Sequence, residues 1–333
     1  MAEHYGSIIK NEVFSGERIK EALEFLTVAK KDFEAARLLM EHDLYPQALF
    51  MLQQSLEKIA KAILLALNLA GIDDLKREVR HEVLTRGLRL LSSKAVDELV
   101  YGVAHAFMAR LAQFVKVLCA CPDALQHFTN LIREWVGAAH RLKQVEENAR
   151  RIKKLTEIGK EVLDKASDEI LREIDGIIDR YSQYLVEPLL LVKEAGVEAT
   201  LSKIRSFLDS LRICITRNVK DRNQRAELLR TVENVSMQIE DAYVRTMYLL
   251  DVYMFVTVHH ALFEDNISRL RYPEKGWTPT NISSDTILVI EGRKIMDILD
   301  KTELFDTVEE FIKGQVRTGK GKRIYDTLLQ LNF

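Results

Sequence analysis

Five polar side chains, Gln53, Gln54, Glu57, Lys58 and Lys61, stand inside the otherwise apolar stretch 45–65 and form the densest group of bonding and charge-bearing residues in it. On a helix, neighbours three and four apart share one side, so Gln53 with Glu57 and Glu57 with Lys61 can bond each other. Taken alone, that pattern predicts a solvated, internally paired face. Other reactive types are more scattered. His259 and His260 are adjacent and point about 100° apart on a helix, so they cannot chelate one ion together, and one is expected to be buried and hydrogen-bonded. Glu57 with Glu41 or Asp43 offers two carboxylates, but nothing in the order brings them together. Gly314 to Lys320 has the spacing of a phosphate-binding loop up to its Lys, yet Gly321 stands where Ser or Thr would hold magnesium, and no strand precedes it. A solvated basic tail, 313–323, is the expectation there. Cys119, Cys121 and Cys214 show no metal-type pairing, and the first two point about 200° apart on a helix. Idle thiols in a reducing cytoplasm are expected, with no metal and no cofactor.

The elements that must carry these groups are helices. Only 5 Pro and 14 Gly occur in 333 residues, and 47% of residues are hydrophobic, which excludes an all-β fold and favours long uninterrupted helices. Net charge of −2 excludes a surface built wholly for gripping nucleic acid, so any anion site is local. Met1 to Ser15 holds no apolar core of signal-peptide length, and the most apolar window, 247–263, is shorter than a bilayer span. Ala22, Phe25, Ala29, Phe33, Ala36 and Met40 make one stripe of a first helix running from Ser15 to about His42. A tight connection leads into the second helix, which opens with Pro46 and is apolar around most of its circumference, as a central bundle helix would be. A third is expected over about 78–91, with His81 near its start. Residues 141–185 hold ten basic and ten acidic residues, interspersed, on a narrow apolar seam, which reads as a charged coiled-coil-like arm. Helices are expected over 198–218, from 221 to about 264, over 287–299 capped by Ser283 or Ser284, and over 302–312. The second of these contains a core segment, 247–263, and a proline-bounded loop follows it.

Ala29-Lys30-Lys31-Asp32-Phe33-Glu34-Ala35-Ala36, then Tyr45-Pro46-Gln47-Ala48 with Gln53 to Ala62, then His81 and Leu84, and far downstream Arg271-Tyr272-Pro273-Glu274, fall in a known order. The chain resembles the HEPN (higher eukaryotes and prokaryotes nucleotide-binding) family, in the branch with an Arg-Tyr-Pro-acid loop. The resemblance implies an all-α, antiparallel up-and-down helical bundle, usually a homodimer. It also implies nucleotide or RNA as ligand and often a minimal nucleotidyltransferase as partner in a toxin–antitoxin pair. Residues 96–240 have no place in the compact pattern. The expected division is therefore 1–95 and 241–312 as two parts of the bundle, 96–240 as a helical insertion, and 313–333 as a basic loop with a last helix.

Ribonucleases of this family carry Arg, four to six residues, then His. Arg37 with His42 and Arg133 with His140 fit that spacing, but about two such hits are expected by chance, and neither lies on the catalytic helix the family uses. The resemblance instead brings His81, Arg271 and Tyr272 towards Lys58 and Lys61 as a ligand site. Arg offers a planar fork for phosphate, Tyr a stacking face and His a titratable donor. The reading is a cytoplasmic nucleotide- or RNA-binding module. A metal-independent endoribonuclease and a scaffold binding a protein through the charged arm are the alternatives.

Overall fold

The computed structural model describes residues 16–94, 122–130, 133, 197–264 and 282–314. Helix α1, Gly16–Glu41, buries Ala22, Leu26, Ala29, Phe33, Ala36 and Met40, a strict three-four alternation. Leu26 takes the buried place expected of Phe25, which packs at the edge of the core. Asp43, with φ 59, supplies the left-handed residue that ends α1, and Leu44 N–H reaches back to Leu39 O at 2.9 Å. Helix α2, Tyr45–Ala66, returns antiparallel along it, as the short connection predicts. Small residues Ala29 and Ser55 let the two backbones approach, and the buried Ser55 hydroxyl donates to Ala29 O at 2.8 Å.

Leu49, Leu52, Leu56, Ile59, Ile63, Leu64 and Leu65 of α2 are each 0% exposed, although they point in every direction around the helix. That requires cover on all sides. Cover comes from α1, from α5 (Arg222–Glu264) and from α6 (Ile287–Lys301), while α7 (Leu304–Lys313) closes against α1 and α5. Gly292 of α6 meets α2 so closely that a Cβ there would lie 2.6 Å from Leu49 Cδ2. Phe305 packs on Phe33 with ring centroids 5.2 Å apart, and Phe311 stacks on Tyr248 at 3.8 Å.

The third helix begins later than its apolar spacing predicts. Asn68, with φ 56, ends α2; Asp74 caps the single turn Ile72–Asp74 by accepting from Gly71 N–H at 2.8 Å; and Leu75–Val79 is a π-helical turn. Helix α3 then runs over Thr85–Lys94. The inward residues are those expected, Val79, Leu84, Leu88 and Leu91. Apolar spacing reports a buried face and does not distinguish one helix from a turn followed by a helix.

Helix α4, Val197–Asn218, pairs with the first part of α5, and Leu201, Ile204, Phe207, Leu208, Leu211, Ile215 and Val232 form a second core that also takes in Ala124 of the helical segment 122–130. Asp221 opens α5 by accepting from Gln224 N–H at 2.7 Å. At 43 residues α5 runs unbroken across the expected boundary at 240, and Val244 touches both cores. The N-cap of α6 is Thr286, not Ser283 or Ser284, and the Thr286 hydroxyl accepts from Ser283 N–H at 3.0 Å across the entry turn. Cys214 is disulfide-bonded, which corrects the expectation of idle thiols; that expectation weighed only the local Cys119–Cys121 spacing. The charged arm at 141–185 and nearly all of the basic tail lie outside the described residues, which contain no strand.

Gly87 matters for the site. A Cβ there would meet Tyr253 Oη at 1.9 Å, and that buried hydroxyl donates to Val83 O at 2.6 Å, tying the turn before α3 to α5. Gly87→Ala is expected to destabilise the protein by about 1–3 kcal/mol through overpacking. Adding Tyr253→Phe should recover part of the loss, because the colliding oxygen is gone, although Tyr253→Phe alone costs about 1 kcal/mol. Urea titrations of the two single variants and the double variant check this; purely additive losses would contradict it.

Candidate functional site

The π-helical turn ends in an unusual backbone. Arg80 has φ 52 and ψ −116, and its N–H bonds Leu75 O at 2.8 Å, the five-residue closure of a π turn. A non-glycine residue in that region stores strain that its surroundings must hold in place. Its consequence is the direction taken by His81, which stands on the turn and not on a helix start, with 77% of its side chain exposed. His81 Nδ1 lies 3.0 Å from Glu57 Oε2 on α2. The other oxygen, Glu57 Oε1, accepts from Lys61 Nζ at 2.5 Å, one helical turn along. Glu57 itself is only 5% exposed.

Helix α5 supplies the third wall. His260, fully buried, sets its Nε2 against the Gln53 side-chain amide and 3.9 Å from Glu57 Oε2, and its Nδ1 lies 3.8 Å from Glu264 Oε2. Gln54 Nε2 donates to Gln53 Oε1 at 2.7 Å, and the Gln53 amide nitrogen lies against His260 Nε2. Gln54 Oε1 accepts in turn from Lys58 Nζ at 3.3 Å, and Lys58 pairs with Asp32 of α1 at 2.6 Å. One polar chain therefore crosses the bundle from Asp32 through Lys58, Gln54, Gln53 and His260 to Glu57, Lys61 and His81.

Burial is the largest influence on Glu57 and by itself raises the carboxyl. The His260 ring, the Lys61 ammonium and the His81 ring outweigh it and hold the carboxyl well below the usual carboxylate range. His260 moves the other way: burial lowers it more than the Glu57 charge raises it, so the ring is neutral. An ionised carboxylate only accepts hydrogen bonds, so the His81 nitrogen facing Glu57 carries its proton, and Nε2 is the nitrogen that meets solvent. Neutral His81 then offers a lone pair outward; protonated His81 offers an N–H.

Of the residues expected to converge, Lys61 and His81 meet on the two oxygens of Glu57. Lys58 sits at the far end of the same network, against Asp32. Arg271 and Tyr272 lie outside the described residues, in the segment that follows Glu264. The five polar residues of α2 do pair internally, but they are not a solvated face: Gln53 and Glu57 are buried, because α5 and the π-helical turn cover them. Arg37 ion-pairs with Asp300 of α6 at 3.3 Å, and its spacing partner His42 is exposed. Arg133 is exposed, while His140 lies outside the described residues.

Sequence reading missed the role of Glu57 as hub and the cations around it. Lys76, Arg77 and Arg80 are exposed on the turn that carries His81, and none pairs with a carboxylate of the described residues. The usable signal was the run 76–81 itself, basic residues leading straight into a histidine. No group of His, Cys, Asp and Glu among the described residues is arranged to hold a metal ion, and no helix among them is long and apolar enough to cross a membrane.

An antiparallel α-helical bundle with a carboxylate, two histidines and a lysine joined at the seam between its central hairpin and the long helix α5 is the class of protein this structure defines. Within that class, the family model for the HEPN domain matches residues 22–111, a match that the all-helical fold agrees with and that supports a nucleotide- or RNA-related module in general character. No curated protein and no solved structure matches the chain.

Glu57 and His259 set the acid limb of stability. The folded Glu57 carboxyl lies below its ordinary value of 4.5, so its contribution is present above that pH and is lost as pH falls. Burial lowers His259 to about 4 from 6.5, so the neutral ring stabilises fully above about pH 6.5 and loses on the order of 3 kcal/mol as pH falls to 4. Denaturation midpoints measured against pH are expected to fall in these two windows. His259→Gln should flatten the upper one and Glu57→Gln the lower, and at neutral pH Glu57→Ala should cost about 3 kcal/mol by leaving the largely buried Lys61 ammonium unpaired. An unchanged acid limb in both variants would contradict the assignment.

Proposed function

We propose that this chain is a nucleotide- or RNA-binding module whose ligand meets the turn 75–81. Lys76, Arg77 and Arg80 contact phosphates, and His81 stands over the Glu57–Lys61 pair. The observation that carries this reading is the set of three exposed cations, without a carboxylate partner among the described residues, on the short segment that leads into an exposed histidine oriented by a buried carboxylate. Unpaired cations concentrated on one strained turn, in a chain of net charge −2, make a local attraction for a polyanion. Arg271 and Tyr272 belong to the same reading: their segment begins at Glu264, beside His260, and would add a phosphate fork and a stacking ring. We place the module in the cytoplasm, as a homodimer working with a minimal nucleotidyltransferase in a toxin–antitoxin-type pair. The Cys214 disulfide is the observation that weighs against a reducing compartment.

Anisotropy of a labelled short single-stranded RNA, titrated with the full chain over a range of salt, tests the reading. Each phosphate contact contributes roughly −0.7 to the slope of log affinity against log salt. The triple variant Lys76→Ala, Arg77→Ala, Arg80→Ala should bind about ten-fold or more weakly at low salt, with the slope shallower by about 2. Equal affinity and slope would remove the turn from the site, and Arg271→Ala without effect would remove the loop.

A further inference from the structure

The geometry points to proton-coupled ligand capture: His81 grips an anionic oxygen through Nε2 only in its doubly protonated form, and Glu57 is the positioning residue that makes this so. The inference rests on the binding reading above and concerns how the same site is regulated. With Nδ1–H committed to Glu57 Oε2 at 3.0 Å, the outward Nε2 has two states. Neutral, it presents a lone pair that repels a phosphate oxygen. Protonated, it presents an N–H donor with positive charge, a charge-assisted hydrogen bond to the same oxygen. Glu57 cannot release the ring to turn over, since its second oxygen is occupied by Lys61 and its surroundings are buried.

Among the described residues, no other charge near His81 is placed to take over that role. On α2, Glu57 and Lys61 neutralise each other as a pair, and Lys58 is paired with Asp32. On α5, His260 is buried and held neutral, with Glu264 3.8 Å from its Nδ1. Arg86 of α3 is ion-paired with Glu82 at 2.7 Å and also donates to Glu78 O, while Glu78 and Arg89 are exposed. Lys76, Arg77 and Arg80 keep their charge throughout the neutral range and supply the part of the affinity that does not depend on pH. The charge that changes is on His81.

Binding by the full chain of a twelve-nucleotide oligouridine lacking terminal phosphates tests this, because phosphodiesters do not titrate between about pH 5.5 and 8.5, whereas a terminal phosphate does near 6. Affinity should fall by about ten-fold or more from pH 5.5 to 8.5 and level off at alkaline pH, and calorimetry in buffers of different ionisation heat should show net proton uptake over the falling part of the curve. His81→Gln, at an exposed position, should bind weakly and without pH dependence, matching the wild type only at alkaline pH. Glu57→Gln, whose amide can present an N–H to the ring and so free Nδ1 of its proton, should weaken the pH dependence. Tight binding with no pH dependence and no proton uptake, or the same pH profile in His81→Gln, would overturn the inference while leaving the binding site standing. Absence of binding at every pH would overturn both.

Discussion

An ionised carboxylate inside a helical bundle is the constraint on which the rest of this structure depends. Taking Glu57 out of water costs several kcal/mol unless its oxygens are bonded and its charge is met. Three separate pieces of chain do this: α2 brings Lys61 one turn along, the π-helical turn brings His81, and α5 brings His260 with Gln53 between. Each piece must arrive in register, and the apolar core alone would tolerate several registers. The carboxylate selects one, so the polar seam contributes specificity where the leucines of α2 contribute most of the free energy.

That selection explains features that otherwise look like defects. Arg80 holds a strained backbone because a regular helix through 78–91 would carry His81 around with the helix instead of laying it over Glu57. Gly87 is required because Tyr253 must come close enough to hold Val83 O, two residues after His81. Helix α5 joins the seam to the second core through one unbroken 43-residue rod, so a change in the packing of α4 has a rigid element through which to reach His260.

Much of the bundle was legible in the sequence because its signals are periodic. The three-four stripes of α1 and α4, the all-round apolarity of α2 and the Asp221 start of α5 each follow from residue spacing, and the order of those elements with His81 carried the resemblance to the HEPN family. The polar cluster of α2 was legible as a cluster and illegible as to burial, since periodicity does not say what covers a face. That Glu57 meets His81 and His260 depends on two backbone events with no periodic signature, a π turn and a left-handed arginine. Lys76, Arg77 and Arg80 drew no notice in the sequence, and the turn is what sets them on the same short segment as His81. His259 and His260 show the limit from the other side: sequence placed them about 100° apart with one buried and bonded, and both are buried, one against Phe255 O and one in the seam.

The central claim, that a buried carboxylate fixes which nitrogen of His81 faces the ligand, is open to direct measurement by nitrogen-15 NMR of labelled imidazoles in the full chain. In its neutral form His81 should appear with the proton on Nδ1 and Nε2 bare, and Glu57→Gln should weaken that preference. A His81 ring protonated on Nε2 with Nδ1 bare would contradict the account, because Glu57 would then hold nothing in place.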